Sequence, residues 1–231
     1  MVPKHIGFIL DGNRRLAKRL MVKPWKGHEW GKDKVLKVLD WTKKLGVEEI
    51  TFYALSIQNL GRPKQELDHI MRLAQEGFEE LKTKAADLKE EGVRINIIGR
   101  TQLLPASLQQ TIKELMELTK NNTKRMVNFA LAYGGREEVI DAVTNIAKQV
   151  KEGKLDIDAI NEESFSENLY SKGEPDLIIR TGGDKRTSNF LPWQSIYSEW
   201  FFLDKFWPEF EEADLLAVVE EYGQRERRHG K

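Results

Sequence analysis

Short apolar runs alternate along this chain with longer stretches in which apolar and charged residues recur at helical spacing. The runs predict strands over 6–10, 50–55, 93–98, 126–132, 176–180 and 199–203. The longer stretches predict helices over 29–45, 64–91, 105–120, 135–152, 161–170 and 211–227. Such alternation is typical of an α/β fold with a mostly parallel central sheet flanked by helices. Since no repeat, low-complexity tract or linker divides the chain, we expect one domain over residues 1–231.

Composition excludes several classes of function. Lysine plus arginine equal aspartate plus glutamate at 37 each, so the net charge gives no reason to expect nucleic acid as a partner. The absence of cysteine excludes disulfides, thiolate metal sites and cysteine nucleophiles. Glycine-rich nucleotide loops and a serine nucleophile elbow are also missing from the sequence.

Hydropathy predicts where the protein works. The first apolar run has five residues, too few for a signal peptide, and no segment approaches the roughly 20 apolar residues of a membrane span. We therefore expect a cytoplasmic protein, with the membrane surface left open as a peripheral site if the substrate or product is a lipid.

Polar clusters follow four of the predicted strands. They are residues 11–15, 56–62, 133–136 and 180–188. In open α/β sheets, ligands bind beyond the carboxyl ends of the strands. The coincidence of four such loops predicts one ligand site at that edge of the sheet.

The loop that starts at Arg180 has the composition of an anion site. Arg180, Arg186 and Ser188 supply guanidinium and hydroxyl donors, and Gly182-Gly183 can expose free backbone N–H groups. A phosphate or diphosphate fits these donors. The alternative is a solvated loop in which Arg180 pairs with a local acid. The apolar strand before Arg180 and the two glycines favour the anion site.

Asp11 is the candidate metal ligand. A carboxylate at a strand end can hold Mg²⁺, whose shell is then completed by substrate phosphates and water. The alternative is an Asx-type turn in which Asp11 caps the next helix. Arg14, Arg15 and Lys18 exceed what a cap requires and favour a charged substrate.

Five further residues are ambiguous from the sequence alone. Ser56, Asn59 and Arg62 have the composition of a helix start. A lone histidine such as His28 is more often a helix-start hydrogen-bonding residue than an acid–base group. Glu199 opens an aromatic run and needs a metal or arginine partner if it is buried, and a structural ion pair would serve as well.

Taken together, these motifs resemble the cis-prenyltransferase family of undecaprenyl and dehydrodolichyl diphosphate synthases. The resemblance runs from His5 to Gly230. It rests on the segments Asp11–Arg15, Asn59–Pro63, Tyr133–Arg136, Arg180–Gly183, Arg186–Phe190, Trp193–Gln194 and Arg225–Arg228. It implies a homodimeric, Mg²⁺-dependent enzyme that condenses isopentenyl diphosphate with an allylic prenyl diphosphate.

The resemblance also implies roles for individual residues. Asp11 would hold Mg²⁺ with Glu199 nearby, and Asn59 would act near the proton-removal step. The allylic diphosphate would lie against Gly12, Asn13, Arg14 and Arg15. Isopentenyl diphosphate would lie against Arg180, Arg186 and Ser188. The remaining substrate-binding candidates are Leu16, His28, Ser56, Gln58, Leu60, Arg62 and Thr187, with Arg228 and Gly230 reaching the partner subunit's site.

The sequence departs from the family's usual residues at six places. Leucine replaces tryptophan at Leu16 and Leu60, and the other departures are Pro24, Gln58, Leu131 and Asp184. Because they fall in the allylic pocket and the expected apolar tunnel, product length and acceptor stay open. An atypical short-chain or non-standard-acceptor enzyme is one alternative. A non-catalytic subunit of a heteromeric enzyme is another, and the retention of Asp11 and the arginines argues against it.

Overall fold

A computed structural model describes residues 1–225 and contains a single six-stranded sheet in that part of the chain. The strands are β1 (His5–Ile9), β2 (Glu49–Ser56), β3 (Val93–Ile98), β4 (Arg125–Tyr133), β5 (Leu177–Arg180) and β6 (Glu199–Phe202). All neighbouring strands are parallel, in the order β3-β4-β2-β1-β5-β6. The predicted fold class is confirmed, and each predicted strand lies within two residues of the observed one.

Helices cover both faces of this sheet. They are α1 (Asn13–Arg19), α2 (Pro24–Lys44), α3 (Lys64–Thr83), α4 (Ala85–Glu90), α5 (Ala106–Thr119), α6 (Gly135–Lys151), α7 (Glu162–Ser166) and α8 (Glu212–Gln224). Short 3₁₀ turns lie at Ile57–Gly61, Thr101–Leu103, Ile157–Ala159 and Trp207–Glu209. Among residues 1–225, none of the helices is both long and apolar enough to cross a membrane.

The core explains why the apolar runs form strands. β1 and β5 are buried at every position, as expected for parallel strands covered by helices on both faces. Phe8, Phe52 and Phe129 stack across β1, β2 and β4, with ring centroids 5.4 and 5.6 Å apart. Trp207 and Phe210 pack onto the same cluster and are fully buried. The backbone N–H of Trp207 donates to the carbonyl oxygen of Asp11, so this cluster adjoins the loop after β1.

The helix predictions were wrong in four places. α1 was not predicted, because its seven residues are too few to show a clear apolar period. α2 begins at Pro24 rather than at residue 29, and proline suits a first helical turn. The predicted helix 64–91 is interrupted at Lys84, where α3 ends and α4 begins. α7 covers five of the ten residues predicted over 161–170.

The strand register brings two motif loops together. Ile9 pairs with Arg180, so the chain leaves β1 and β5 side by side at the carboxyl edge. Gly12, directly after β1, has φ +108, and a Cβ there would lie 2.7 Å from Cβ of Phe206. Only glycine fits this turn. The turn sends α1 across the edge and places Asp11 against Arg180.

Candidate active site

Asp11 and Arg180 form the centre of the polar site. Arg180 NH2 donates to Asp11 Oδ2 at 2.7 Å, and Arg15 NH2 lies 3.0 Å from Asp11 Oδ1. Arg15 also contacts Asp184 Oδ2 at 3.1 Å. Thr181 and Trp207 donate to the backbone oxygen of Asp11 and fix its position. Asp11 makes no side-chain cap on α1, so the interpretation of Asp11 as a helix cap was wrong.

The surroundings keep Asp11 ionised. Burial raises the pKa of this carboxyl, but the hydrogen bond from Arg180 and the charges of Arg15 and Arg180 outweigh burial and hold it below its ordinary value. Asp11 is therefore an anion at neutral pH, enclosed by cations. Both of its oxygens face guanidinium groups, so an incoming cation or anion must rearrange these contacts.

Arg180 also organises its own loop. Its side chain is 3% exposed, and NH1 donates to the carbonyl oxygen of Arg186 and to Oγ of Ser188 at 2.6 Å. Nε of Arg180 is buried and has no hydrogen-bond partner among the described residues. The alternative predicted that Arg180 pairs with an acid, and Asp11 is that acid. Because Asp11 and Arg180 both line the cleft, this ion pair does not exclude an anion site there.

The prediction of free backbone donors in this loop was wrong. The N–H groups of Gly182 and Gly183 donate to the carbonyl oxygens of Lys205 and Leu203, at 2.7 and 2.8 Å. The segment after β6 continues alongside the loop and takes these donors. Any anion held here is therefore bound by side chains rather than by a glycine nest.

The end of this loop is held in an unusual backbone conformation. Ser188, Asn189 and Leu191 all have positive φ, between 44 and 64. Backbone strain of this kind persists only where the surroundings enforce it. Asn189 holds the backbone in this conformation through two hydrogen bonds. Its side chain accepts from the backbone N–H of Arg136 at 2.8 Å, and its carbonyl oxygen accepts from the N–H of Gly135. The loop after β4 thus fixes the loop after β5.

A second polar cluster connects the loop after β2 to α3. Ser56 Oγ accepts from the backbone N–H and the side-chain amide of Asn59, at 3.2 and 2.6 Å. Arg62 Nε donates to Asn59 Oδ1 at 2.7 Å, and Arg62 NH1 donates to Glu66 Oε1 at 2.9 Å. Ser56 therefore does cap a turn, as its composition indicated. The same residues nevertheless line the polar cleft.

Glu66 is the residue that the sequence analysis missed. Its side chain is 7% exposed, and Oε1 lies 3.1 Å from Nε2 of His28 and 3.6 Å from Nε of Arg14. Burial lowers the pKa of His28, the bond to Glu66 raises it, and the charge of Arg62 lowers it again, with a net decrease. His28 lies inside α2 and not at a helix start. It is a neutral group at the junction of α2 and α3.

An apolar cavity adjoins this polar cleft and shares part of its wall. It lies between the sheet and helices α2, α3 and α5 and is partly open to solvent. Leu10, Asn13, His28 and Ala54 line both the cavity and the cleft. Beyond them the walls are almost entirely apolar, including Phe129 at the sheet. A molecule with a charged head and a long hydrocarbon tail fits such a pair of spaces.

The predicted site residues separate into groups. Most of them line the polar cleft. These are Asp11, Gly12, Asn13, Arg14, Arg15, His28, Ser56, Gln58, Asn59, Arg62, Arg180 and Ser188. Leu131 lines the apolar cavity, as its tunnel-side position predicts. Leu16 is buried, Leu60 packs on the core, and Arg186 and Thr187 are exposed on the loop. Arg228 and Gly230 lie outside the described residues.

Glu199 lies far from Asp11 within one chain. The register sets Glu199 level with Leu177 and Ile6, five residues before Asp11 along the sheet. At ~3.3 Å per residue this is about 16 Å. Glu199 Oε2 accepts from Arg225 NH1 at 2.6 Å, the ion pair that the sequence left as an alternative. Its metal role stays a prediction.

The residues around Asp11 fit a metal that arrives with its substrate. Among residues 1–225, no group of three or more acidic or histidine side chains could hold a metal ion. Mg²⁺ needs only one or two carboxylates when substrate phosphates and water complete its shell. Asp11 supplies one ionised carboxylate, 28% exposed, at the wall of the cleft.

Comparison with known proteins agrees with this arrangement. A family model described as "Putative undecaprenyl diphosphate synthase" matches residues 9–230. The chain is 47% identical to the tritrans,polycis-undecaprenyl-diphosphate synthase (geranylgeranyl-diphosphate specific) of Methanopyrus kandleri, and covers 85% of it. It is 45% identical to the enzyme of the same name from Pyrococcus horikoshii, and covers 88% of it. Both alignments span this whole chain.

A solved structure shows the same fold. The lavandulyl diphosphate synthase of Lavandula x intermedia, solved in complex with dimethylallyl diphosphate, superposes with a TM-score of 0.93. It is 34% identical, and the match covers 100% of this chain and 99% of the other. With a family match over nearly the full length and a charged cleft joined to an apolar cavity, the chain belongs to the undecaprenyl diphosphate synthase family of cis-prenyltransferases, which condense isopentenyl diphosphate with an allylic prenyl diphosphate.

Proposed function

We propose that this enzyme elongates geranylgeranyl diphosphate with isopentenyl diphosphate to a long-chain polyprenyl diphosphate. The observation that carries the proposal is the direct joining of the charged cleft to an apolar cavity through Leu10, His28 and Ala54. The geranylgeranyl primer is supported by the names of the relatives that are 47% and 45% identical. The long product is supported by the apolar walls of the cavity and by the undecaprenyl product in the names of the same relatives.

The chemistry follows from the charges in the cleft. The C–O bond of the allylic diphosphate breaks and diphosphate leaves, while a C–C bond forms to isopentenyl diphosphate and a proton is lost. Negative charge develops on the departing diphosphate. Arg14 and Arg15 would stabilise this charge more strongly in the transition state than in the bound substrate, because their guanidinium groups are already positioned. Mg²⁺ held at Asp11 would supply further charge stabilisation on the same oxygens.

The second diphosphate belongs at Arg180 and Ser188 in this proposal. Arg180 is buried and donates hydrogen bonds to Asp11, to Ser188 and to the carbonyl oxygen of Arg186. Isopentenyl diphosphate would compete for these donors and for the exposed Arg186. Asn59 would act close to the proton-removal step, because Ser56 and Arg62 fix its amide beside the cleft.

The cavity explains why the chain can grow. Each buried methylene contributes about 0.8 kcal/mol, so a five-carbon unit that enters the apolar cavity contributes about 4 kcal/mol. This free energy favours the state in which the growing hydrocarbon tail lies in the cavity and the diphosphate stays in the cleft. Growth then stops when the tail has filled the space between sheet and helices.

We also infer a homodimer. Ile140 and Val143 lie three residues apart on α6 and are 60% and 50% exposed, and Ile196 before β6 is 73% exposed. Large apolar side chains of this kind favour an isologous interface with a second copy. Sedimentation velocity at micromolar concentration tests the dimer.

The proposed location is the cytoplasm, with peripheral contact to the membrane through the product. Diphosphates carry several negative charges and do not cross bilayers unaided, so the enzyme is expected where they are made. A long polyprenyl tail, once released from the cavity, partitions into a bilayer.

Product analysis tests the main proposal. The purified protein is incubated with Mg²⁺, labelled isopentenyl diphosphate and one primer of ten, fifteen or twenty carbons. We expect the highest kcat/KM with geranylgeranyl diphosphate and a ladder of long products. The Asp11→Ala variant should keep its melting temperature within a few degrees and lose turnover, together with its response to added Mg²⁺. Normal turnover in that variant contradicts the metal role.

A second candidate is the formation of a short product from small allylic diphosphates. It is favoured by one observation, the 0.93 TM-score to the lavandulyl diphosphate synthase. The same experiment decides it, with dimethylallyl diphosphate supplied alone. A ten-carbon product without isopentenyl diphosphate supports this candidate. A long ladder that requires isopentenyl diphosphate excludes it.

A further inference from the structure

The turn between α1 and α2 exposes three consecutive apolar side chains. Leu20 is 50% exposed, Met21 is 93% exposed and Val22 is 40% exposed. Together with Lys23 they form the α1–α2 loop (residues 20–23). Single exposed apolar residues are common on protein surfaces, whereas adjacent ones make a candidate interaction site.

The α1–α2 loop is a fixed turn and not a loose segment. The N–H of Met21 donates to the carbonyl of Lys18 at 3.1 Å, and the N–H of Val22 donates to Ala17 at 2.9 Å. These two bonds tie the loop to the last turn of α1. The loop therefore presents its side chains in a defined place.

Methionine is a costly choice at position 21. Its φ is +54, the left-handed conformation in which a helix normally ends with glycine or asparagine. Glycine would relieve the strain and remove the exposed apolar surface at the same time. Folding therefore gives no reason for Met21. An external apolar partner would account for this side chain.

The charge around the loop identifies that partner. Residues 12–28 contain six lysines and arginines and no aspartate or glutamate, in a chain with a net charge of zero. Four of these six cations are ion-paired: Arg14 with Glu66, Arg15 with Asp11, Arg19 with Glu209 and Lys26 with Glu29. Lys18 and Lys23 make no ion pair with any described residue, and Lys18 also lines the cleft. Apolar side chains flanked by uncompensated cations are the signature of a surface that inserts into an anionic bilayer.

The position of the loop fits this partner as well. Val22 and Pro24 line the cleft together with Arg14 and Arg15, so the α1–α2 loop forms part of its rim. A bilayer at the loop would lie at the entrance of the charged cleft. Trp25, half-buried in the first turn of α2, would lie at headgroup depth, where tryptophan is enriched.

We propose that the α1–α2 loop docks the enzyme on an anionic lipid bilayer, with Leu20 and Met21 inserted and Lys23 among the headgroups. This surface belongs to the protein and acts without substrate or product, so it is independent of the proposed reaction. A second copy of the chain is a poor occupant, because two such basic surfaces repel each other.

Vesicle flotation of the substrate-free protein tests the proposal. The probes are vesicles of phosphatidylcholine alone, or of phosphatidylcholine mixed with phosphatidylglycerol. We expect binding to the mixed vesicles, little binding to the neutral ones, and loss of binding at high ionic strength. The double variant Leu20→Ser/Met21→Gly should bind the mixed vesicles at least about ten-fold more weakly than the wild type does. Met21→Gly also relieves the strained turn, so this variant is expected to fold.

A matched control removes two exposed leucines elsewhere. The double variant Leu103→Ser/Leu118→Ser loses residues that are 49% and 55% exposed, beside and on α5, and should bind vesicles as the wild type does. Equal binding by wild type and Leu20→Ser/Met21→Gly overturns the proposal, as does equal binding to neutral and anionic vesicles. A changed oligomeric state of Leu20→Ser/Met21→Gly in sedimentation would instead assign the loop to a protein interface and overturn it.

Prenyl transfer is measured separately, without vesicles and with a soluble short primer. The Leu20→Ser/Met21→Gly variant should retain wild-type kcat there, because neither residue lines the cleft or the cavity. A loss of this activity would show a catalytic role for the loop and contradict a pure docking role.

Discussion

Replacement of Glu66 by glutamine should weaken both the fold and substrate binding. One oxygen of Glu66 faces three groups: Arg62 NH1 at 2.9 Å, His28 Nε2 at 3.1 Å and Arg14 Nε at 3.6 Å. Glutamine keeps an acceptor near that position but removes the negative charge. Arg14 and Arg62 then face each other with no carboxylate between them.

The structure sets the size of the effect. A hydrogen bond to a charged partner contributes about 1.5–3 kcal/mol and a neutral one about 0.5–1.5 kcal/mol, so the bond to Arg62 loses about 1 kcal/mol. Arg14 is 54% exposed, and its longer contact adds little after solvent screening. We expect a loss of about 1–2 kcal/mol. For a protein of this size that lowers Tm by about 2–8 °C.

The kinetic effect should appear mainly in KM for the allylic substrate. Arg14 and Arg62 line the cleft, and the loss of their shared carboxylate leaves them less well ordered. A loss of about 1 kcal/mol in binding corresponds to about a five-fold increase in KM. Initial rates with varied primer concentration measure KM, and a thermal melt measures Tm.

Glu29→Gln is the matched control. Glu29 pairs with Lys26 at 2.6 Å, but the two side chains are 30% and 52% exposed, so the loss should be below about 1 kcal/mol. Its KM should not change. If Glu66→Gln has the same Tm and the same KM as Glu29→Gln, Glu66 does not organise the cleft and the reasoning fails.

Three further predictions follow from other parts of the structure. Leu131→Ala should enlarge the apolar cavity and shift the product ladder to longer chains, at a cost of about 2–5 kcal/mol of stability; an unchanged ladder contradicts its place in the tunnel. Burial lowers the pKa of His5 below its ordinary 6.5 despite the charge of Glu49, so the unfolded chain takes up the proton first and stability falls as pH decreases below about 6.5. His5→Gln should flatten that slope in urea unfolding at pH 7 and pH 5.5, and parallel slopes would exclude His5 as its source. Arg180→Ala should raise KM for isopentenyl diphosphate more than KM for the primer; equal increases would place Arg180 with Asp11 alone.

The fold was largely readable from the sequence because parallel strands covered on both faces are continuous apolar runs. Leu177–Arg180 and His5–Ile9 are examples in which every position is buried. α1 was not readable, because four of its seven residues are arginine or lysine and contacts to α2 and the Trp207–Glu209 turn hold it in place. The break at Lys84 had no sequence signal either. Neither proline nor glycine occurs there, and the packing of α4 on β3 and α5 redirects the chain.

The candidate site was readable where its residues follow strands. Asp11 and Arg180 sit at strand ends, and the register of β1 and β5 brings them within hydrogen-bonding distance. Glu66 could not be identified in this way, because it lies inside a helix among other charged residues. Its partner His28 is 38 positions earlier in the chain. The backbone donors of Gly182 were overestimated, since the sequence does not reveal which carbonyl lies opposite.

Two carboxylates keep the arginines of the cleft in place before any substrate binds. Asp11 faces Arg15 and Arg180, and Glu66 faces Arg14 and Arg62. Without these acids, four guanidinium groups would repel one another in a partly buried space. A diphosphate carries more negative charge than either acid and can compete for the same donors. Each carboxylate therefore positions the cations for a stronger anion, which lowers the reorganisation that catalysis requires.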